Sequence, residues 1–181
     1  YLAAMGALKS GAGLVSVATP SSCLSAVSSL APEFMTEPLK EDSEGRVSGE
    51  AISKVLQLNQ DVIACGPGIG RGPGVTEFVK LLLDRAEVPL VLDADAPTAV
   101  SEDPGCLVGR DERDVIITPH PGEMGSLVGC TSDEVQSDRI GISKEFAKTH
   151  RVYVVLKGHR TLIATPSGDV FINSTGNPGM A

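Results

Sequence analysis

Short apolar runs that alternate with helical patterns constrain the fold of this chain more than any other feature. The runs are rich in β-branched residues, as strands buried on both faces would be. Between them, apolar residues recur at spacings of three and four, most clearly at 75–85 and 137–150, which indicates helices. Parallel strands need such crossovers, so the alternation predicts an α/β fold with a mostly parallel central sheet flanked by helices on both sides. The predicted strands are 14–18, 61–65, 89–92, 114–117 and 152–156.

Two segments depart from the regular alternation. Near the start, residues 2–9 contain helix-forming Ala, Met and Leu, and glycines that can terminate a helix follow them. Late in the chain, the runs 161–164 and 170–172 flank a turn with proline and glycine, which predicts an antiparallel hairpin. The length predicts a single domain over 1–181 with one core, in which the polar stretch 40–49 is the only linker-like segment.

Composition excludes several classes of protein. The net charge is −8 and Lys and Arg are not clustered, which argues against a nucleic-acid partner. The apolar runs fall far short of the ~20 residues that a membrane span needs, so we expect no membrane-spanning segment. The four cysteines form no CxxC pair, which is typical of reduced thiols in a cytoplasmic protein. Tyr1 opens directly on a helix without a secretory signal, and we interpret it as an internal position of a longer chain.

Ligands of open parallel sheets bind beyond the carboxyl ends of the strands, so the loops at those ends are the candidate sites. The first is the glycine-rich loop 66–74, which precedes a helix whose free N–H groups suit a phosphate. It matches neither the Walker motif nor the GxGxxG dinucleotide motif in its usual place. A phosphate site and a flexible turn are therefore both open for this loop.

Two carboxylates follow the next predicted strand. A tight turn could bring Asp93 and Asp95 together near a hydrated Mg²⁺. Asp95 also has a simpler interpretation as the cap of a helix that begins at Pro97, and we favour that one slightly.

Charged side chains also follow the two later parallel strands. Two prolines stiffen the loop 118–123 and orient His120 and Glu123, which favours a functional site. The alternatives are a histidine that satisfies a buried carbonyl and a glutamate that merely suits a helix N-terminus. Lys157, a glycine and Arg160 form a cationic loop that suits a polyphosphate, with a solvated hairpin entry as the alternative.

Six segments in register resemble the ADP/ATP-dependent NAD(P)H-hydrate dehydratases of the ribokinase-like superfamily, including the C-terminal domain of the bifunctional NAD(P)H-hydrate repair enzymes. The resemblance implies a ribokinase-like fold and a lyase that uses ATP or ADP, with Mg²⁺, to dehydrate hydrated NADH and NADPH. It further implies that the 6-hydroxyl of the damaged ring is phosphorylated and lost as phosphate, and that the protein is a cytoplasmic homo-oligomer, by resemblance a tetramer. The segments are 10–15, 66–70, 92–96, 118–123, 156–158 and 175–181.

The same resemblance implies roles for individual residues. Glu123 would hold Mg²⁺ through water, at the place of the acidic residue in the superfamily's Asn-x-x-Glu motif, and His120 stands where sugar kinases have Asn. The hydrated nicotinamide nucleotide would face Gly68, His120, Pro121, Gly122, Glu123, Met124, Gly125 and Ser126. ATP or ADP would contact Lys157, Gly158, His159, Arg160, Thr161, Asn177, Pro178, Gly179, Met180 and Ala181.

The chain departs from the family pattern in two places. Pro97 and Thr98 stand where the family commonly has Leu-Asn, and Thr98 is the candidate for part of the missing polar contact. The catalytic residue of the family is an Asp in a Gly-Asp segment, which by resemblance would follow Ala181, and we expect further chain before Tyr1 as well. Two other functions stay open: a ribokinase-like kinase for a vitamin precursor, and a nucleotide-binding module without activity.

Overall fold

The computed structural model describes residues 1–176, with eight α-helices and eight strands in that range. The helices are α1 Leu2–Lys9, α2 Leu24–Ser28, α3 Ile52–Leu56, α4 Pro73–Arg85, α5 Asp95–Ala99, α6 Pro121–Val128, α7 Ser132–Ser137 and α8 Arg139–His150. The strands are β1 Ser16–Pro20, β2 Met35–Leu39, β3 Ile63–Cys65, β4 Leu90–Leu92, β5 Val115–Ile117, β6 Tyr153–Leu156, β7 Leu162–Ala164 and β8 Val170–Ile172.

The central sheet has six strands in the order β3-β4-β5-β6-β7-β8. Strands β3 to β6 pair in parallel, whereas β7 and β8 pair antiparallel with their neighbours. Helices flank this sheet, so the predicted α/β class and the late antiparallel hairpin are confirmed. Because neighbours in sequence are neighbours in the sheet, the loops after β3, β4, β5 and β6 meet at one edge.

The core lies between the central sheet and its helices. In β4 and in β5, the first and third residues are fully buried and the middle residue is partly buried. Both faces of these strands are therefore covered, as predicted, but one face less completely than the other. Helix α4 buries Val75, Val79 and Leu82 on the stripe expected from spacings of three and four.

The N-terminal region departs from the prediction of a buried strand at 14–18. The strand β1 lies outside the central sheet and pairs in parallel with β2, and Leu14 is 83% exposed. A small second cluster of buried residues, Ala4, Ala31 and Phe34, lies beside the core that was expected to be the only one. The strand β2 was not predicted, because Glu37 and Pro38 weaken its strand pattern.

Two further predictions changed in the structure. The stretch 40–49 is not a linker, because Glu41 and Val47 form an antiparallel bridge that closes a short turn. The helix predicted over 137–150 begins at Arg139, since the side chain of Asp138 accepts a hydrogen bond from Gly141 N and caps α8 there.

Candidate active site

Four loops meet at the carboxyl ends of β3 to β6. Backbone hydrogen bonds join them in sequence: Asp93 N donates to Cys65 O, Thr118 N to Leu92 O and Lys157 N to Pro119 O, at 2.8–3.1 Å. Each loop is therefore tied to the strand or loop that precedes it along the sheet. The predicted site residues that the structure describes are thereby brought to one edge.

A lysine and two carboxylates join three of these loops. Lys157 Nζ lies 2.5 Å from Asp93 Oδ1 and 4.0 Å from Glu123 Oε2. Thr118 Oγ1 donates to the same Asp93 oxygen at 2.8 Å. The Lys157 side chain remains 41% exposed, so an anion can approach it from solvent. The predicted phosphate-binding lysine is held by carboxylates and not free at a hairpin entry.

The ionisation of Asp93 is biased toward the charged form. Partial burial acts to raise the pKa of its carboxyl group, but the hydrogen bonds from Lys157 and Thr118 and the lysine's charge lower it further. The net effect places the pKa of Asp93 below its usual value. Lys157 therefore has a charged partner at neutral pH.

His120 and Glu123 form a reciprocal cap at the start of α6. His120 Nδ1 accepts hydrogen bonds from Gly122 N at 3.0 Å and Glu123 N at 3.2 Å, and Glu123 Oε2 accepts one from His120 N at 2.9 Å. Because Nδ1 is an acceptor, the proton of a neutral ring is on Nε2, 3.4 Å from Glu123 Oε1. The His120 side chain is 56% exposed, so the alternative of a core histidine is wrong.

Most of residues 121–126, the rest of the predicted substrate-binding stretch, are less exposed than His120, which begins it. A Cβ at Gly122 would lie 2.9 Å from His120 Cε1, so glycine leaves room for the imidazole. Met124 is fully buried, and a Cβ at Gly125 would lie 2.5 Å from Cys130 O, so both positions pack the helix against the interior. Ser126 is exposed and donates to Gly122 O. Pro121, at the first position of α6, is partly buried.

The glycine-rich loop has one open position. Gly66, at φ +135°, packs against Asp93 O so closely that no Cβ fits. Gly68 has φ +74°, and a Cβ there would meet no atom of residues 1–176 within 4 Å. Gly68 therefore offers its backbone to a ligand without competition from the protein, as a close-approach site requires.

Asp95 does not cap a helix that begins at Pro97. Helix α5 begins at Asp95 itself, and its N-cap residue, Ala94, makes no side-chain cap. The Asp95 carboxylate instead accepts a hydrogen bond from Gly70 N at 3.1 Å and lies 3.7 Å from Arg71 Nε. The capping interpretation is wrong because a contact with a distant loop takes precedence. Thr98 Oγ1 donates to Ala94 O within α5.

The residues present suit Mg²⁺ only as a partly hydrated ion. Within residues 1–176, no group of three or more His, Cys, Asp or Glu could hold a metal. Glu123, with its side chain 15% exposed, supplies one carboxylate beside Lys157. Mg²⁺ commonly binds through one or two carboxylates, waters and substrate phosphates, so this donor set fits an ion that arrives with a nucleotide.

The predicted nucleotide loop is braced by a residue that the sequence analysis missed. Arg139 Nη1 donates to His159 O at 2.8 Å, and Arg139 Nη2 donates to Leu156 O at 3.3 Å. The loop needs bracing because Gly158 and Arg160 adopt positive φ of 142° and 55°. The remaining predicted nucleotide contacts, Asn177, Pro178, Gly179, Met180 and Ala181, lie outside the described residues.

Arg139 had no local signal in the sequence. It opens α8, and its carbonyl partners lie 17 and 20 residues further along the chain. Thr161 Oγ1, which was predicted in the same loop, donates to Gly158 O at 3.1 Å. The loop from Lys157 to Thr161 is therefore held both by its own hydrogen bond and by Arg139.

The mostly parallel α/β sheet, with its candidate ligand loops at one strand edge, has a ribokinase-like fold. A protein from Enterococcus faecalis described as belonging to the ribokinase-like superfamily shares the fold, with a TM-score of 0.77, 24% identity, and coverage of 98% of this chain and 58% of that chain. A family model described as NAD(P)H-hydrate dehydratase matches residues 1–181. The chain belongs to the NAD(P)H-hydrate dehydratase family.

Two relatives are similar to this chain over nearly its whole length. The bifunctional NAD(P)H-hydrate repair enzyme Nnr of Moorella thermoacetica is 44% identical over 182 residues, which is 99% of this chain. The ADP/ATP-dependent NAD(P)H-hydrate dehydratase of Bacillus subtilis, co-crystallised with ATP and Mg²⁺, is 31% identical with a TM-score of 0.74, covering 97% of this chain and 58% of that chain. The chain spans 34% of the length of the Moorella enzyme.

The helices were also compared with the requirements of a membrane span. Over residues 1–176, none of them combines the length and the apolar character that a bilayer crossing demands.

Proposed function

We propose that this chain is the dehydratase part of a nicotinamide-nucleotide repair enzyme that uses ATP or ADP, with Mg²⁺, to convert hydrated NADH and NADPH back to NADH and NADPH. Membership of the dehydratase family supports this activity. The observation that carries it is the joining of Lys157, Asp93 and Glu123 at one strand edge, beside an exposed His120. A cation, an acid suited to hydrated Mg²⁺ and a hydrogen-bond donor are among the groups that a phosphoryl transfer to a ring hydroxyl needs.

The proposed reaction has two steps. First, the 6-hydroxyl oxygen bonds to the terminal phosphorus of the nucleotide and a base takes the hydroxyl proton. The bond between that phosphorus and its bridging oxygen breaks, and the nucleotide leaves with one phosphate fewer. Second, the carbon–oxygen bond breaks with its electron pair leaving on phosphate, and loss of a proton from the adjacent carbon restores the ring double bond. Phosphorylation therefore turns hydroxide into a good leaving group.

The residues of this chain divide the work between two ligands. Lys157 and Arg160 would stabilise charge on the transferring phosphoryl group, and Glu123 would hold Mg²⁺ through water. Gly68 and His120 would contact the hydrated nicotinamide nucleotide, His120 through its Nε2–H. The base is expected to be the family's Asp of the Gly-Asp segment, which by resemblance follows Ala181.

The test is an absorbance assay at the reduced-nicotinamide band, run on the whole natural protein with hydrated NADH as substrate. ATP and ADP are supplied in turn, each with and without Mg²⁺, and released phosphate is measured in parallel. We expect absorbance to recover with one phosphate released for each NADH formed. In a parallel reaction with a vitamin precursor in place of hydrated NADH, formation of the phosphorylated precursor would support the kinase alternative. Nucleotide binding without a product in either reaction would support the inactive module.

We also propose that the protein is a cytoplasmic homo-oligomer. Reduced nicotinamide nucleotides and free thiols, the state of all four cysteines here, both suit a reducing compartment. Cell fractionation tests the location, and light scattering of the whole protein tests the predicted tetramer. A monomer at micromolar concentration would contradict the second proposal.

A further inference from the structure

The glycine-rich loop is held from the side by a segment that no motif covers. The segment 40–49 forms the bridged turn described above and lies against the loop. A Cβ at Gly74 would contact Val47 O at 3.5 Å, and one at Gly70 would contact Arg46 Cδ at 3.6 Å. Among the loop's glycines at 66, 68, 70, 72 and 74, Gly68 alone would meet no neighbour within 4 Å in the part of the chain that the structure describes.

Arg46 makes the central contact. Its Nη1 donates to Arg71 O at 3.1 Å, and its guanidinium lies 3.2–3.5 Å from the Cβ position of Gly72, the residue before α4. Its Nε donates to Asp42 Oδ2 at 3.0 Å, and Nη1 also lies 2.8 Å from Glu44 Oε2. A single side chain thus connects the turn 42–46 to the second half of the glycine loop.

The charge of Arg46 is already compensated. Asp42 and Glu44 both contact its guanidinium, and Asp42 Oδ1 accepts the backbone N–H of Glu44 and of Arg46 as well. Arg46 Nη1 also donates to a backbone carbonyl, Arg71 O, so the guanidinium is used to brace the backbone of the glycine loop. The brace is also preformed, since the turn that carries it is closed by its own hydrogen bonds.

We propose that Arg46 is a positioning residue for the substrate: it holds the loop 66–74 so that Gly68 stays open to the hydrated nicotinamide nucleotide. This inference rests on the proposed function. Glycines lose more backbone freedom on ordering than other residues, and this loop holds Gly66, Gly68, Gly70 and Gly72 at positive φ. A brace that orders the loop before binding spares the substrate that cost, so its removal weakens substrate binding.

The predicted nucleotide loop, 157–161, allows a comparison within the same protein. The loop 157–161 lies at the end of β6 and is braced by Arg139, a separate arginine with no contact to Arg46. Removal of Arg46 should therefore act on one ligand and spare the other. A general loss of folding would affect both.

The experiment compares three variants of the whole natural protein: Arg46→Ala, Arg46→Lys and, as a matched control, Arg85→Ala. Arg85 is an exposed arginine at the other end of α4, the helix that the glycine loop precedes. We expect Arg46→Ala to raise KM for hydrated NADH about tenfold, while the nucleotide Kd changes less than about twofold. Arg46→Lys keeps the charge but not the forked donors, so it should recover part of the loss. The control should match the wild type.

Amide hydrogen exchange of residues 66–74, measured without ligands, separates this inference from the proposed function. We expect exchange in this loop to accelerate in Arg46→Ala and to stay unchanged in 157–161. Wild-type turnover of hydrated NADH combined with unchanged KM in Arg46→Ala would overturn the inference and leave the proposed function standing. If the wild type does not turn over hydrated NADH, the proposed function is overturned. If amide exchange of residues 66–74 is also unchanged in Arg46→Ala, the role of Arg46 in ordering the loop is overturned as well.

Discussion

Lys157 Nζ lies 2.5 Å from Asp93 Oδ1, so an ion pair joins the loop after β6 to the loop after β4, across 64 residues of sequence. The strand β5 lies between these two in the sheet, and its loop contributes Thr118 to the same Asp93 oxygen. The Lys157 ammonium group is thereby held beside Asp93 at the carboxyl edge of the sheet. Its phosphate affinity and its contribution to stability can be tested separately.

Replacement of Asp93 by Asn should make stability less dependent on pH at the acid end. The folded-state pKa of Asp93 is lowered, so its ion pair stabilises the protein above the ordinary pKa of 3.8 and loses that effect as pH falls through the lower folded value. We expect the urea midpoint of Asp93→Asn to lie below that of the wild type at neutral pH and to converge with it in strong acid. A constant gap at every pH would contradict this linkage.

Lys157→Ala should weaken ATP or ADP binding about tenfold or more, a larger effect than the small drop of the urea midpoint that follows from losing its ion pair with Asp93. The side chain is partly exposed and contacts carboxylates, not the apolar core, so few packing contacts are lost. Calorimetric titration with each nucleotide measures the effect. Lys144→Ala, at an exposed position on α8, is the control. Unchanged nucleotide affinity in Lys157→Ala would remove this loop from the site.

Two variants of His120 separate its capping role from its substrate role. His120→Ala loses the acceptor for Gly122 N and Glu123 N and should cost about 1 kcal/mol of unfolding free energy. His120→Asn can still cap α6, because Asn is a favoured N-cap residue, but it lacks the imidazole Nε2–H. We expect both variants to raise KM for hydrated NADH and only His120→Ala to lower Tm. Normal KM in His120→Asn would show that the imidazole does not contact the substrate.

Arg139→Ala should weaken nucleotide binding without changing KM for hydrated NADH. Arg139 donates to two carbonyls at the nucleotide loop, where Arg160 holds an unfavourable positive φ, and its loss should leave that loop to be ordered by the ligand. Arg139→Lys retains the charge and one donor centre, so its affinity should be intermediate. Calorimetric titration of both variants is the measurement, and equal affinity in all three proteins would contradict the role of Arg139.

Residues 1–181 alone should show no dehydratase activity, whereas a version continued through the expected Gly-Asp segment should be active. Phosphoryl transfer needs a base within hydrogen-bond reach of the hydroxyl, and Asp93 and Glu123 are already engaged with Lys157 and the α6 cap. The rate of the shorter version should be lower by several orders of magnitude, on the order of 10³-fold or more. Comparable turnover at equal folded concentration would place the base within residues 1–181.

Local pattern was enough to predict the central sheet. The period of apolar residues predicted strands that overlap β3 to β6, and the turn with Pro166 and Gly168 predicted the β7–β8 hairpin. It was not enough for β1 and β2, because an isolated apolar run carries no information about which sheet will pair with it. The same limit applies to the segment 40–49, whose polar composition fits a linker and a surface turn equally well.

The sequence by itself determined which side chains could do chemistry here: His120, Glu123, Lys157 and the glycines of 66–74 follow predicted strands, where parallel sheets bind ligands. Tertiary structure decided their partners. Arg46 contacts Arg71 O across 25 residues, Asp95 contacts Gly70 N across 25, and Lys157 contacts Asp93 across 64. Periodicity fixes which face of an element is buried, but hydrogen bonds between loops depend on how whole elements pack, and that is decided only when the core forms.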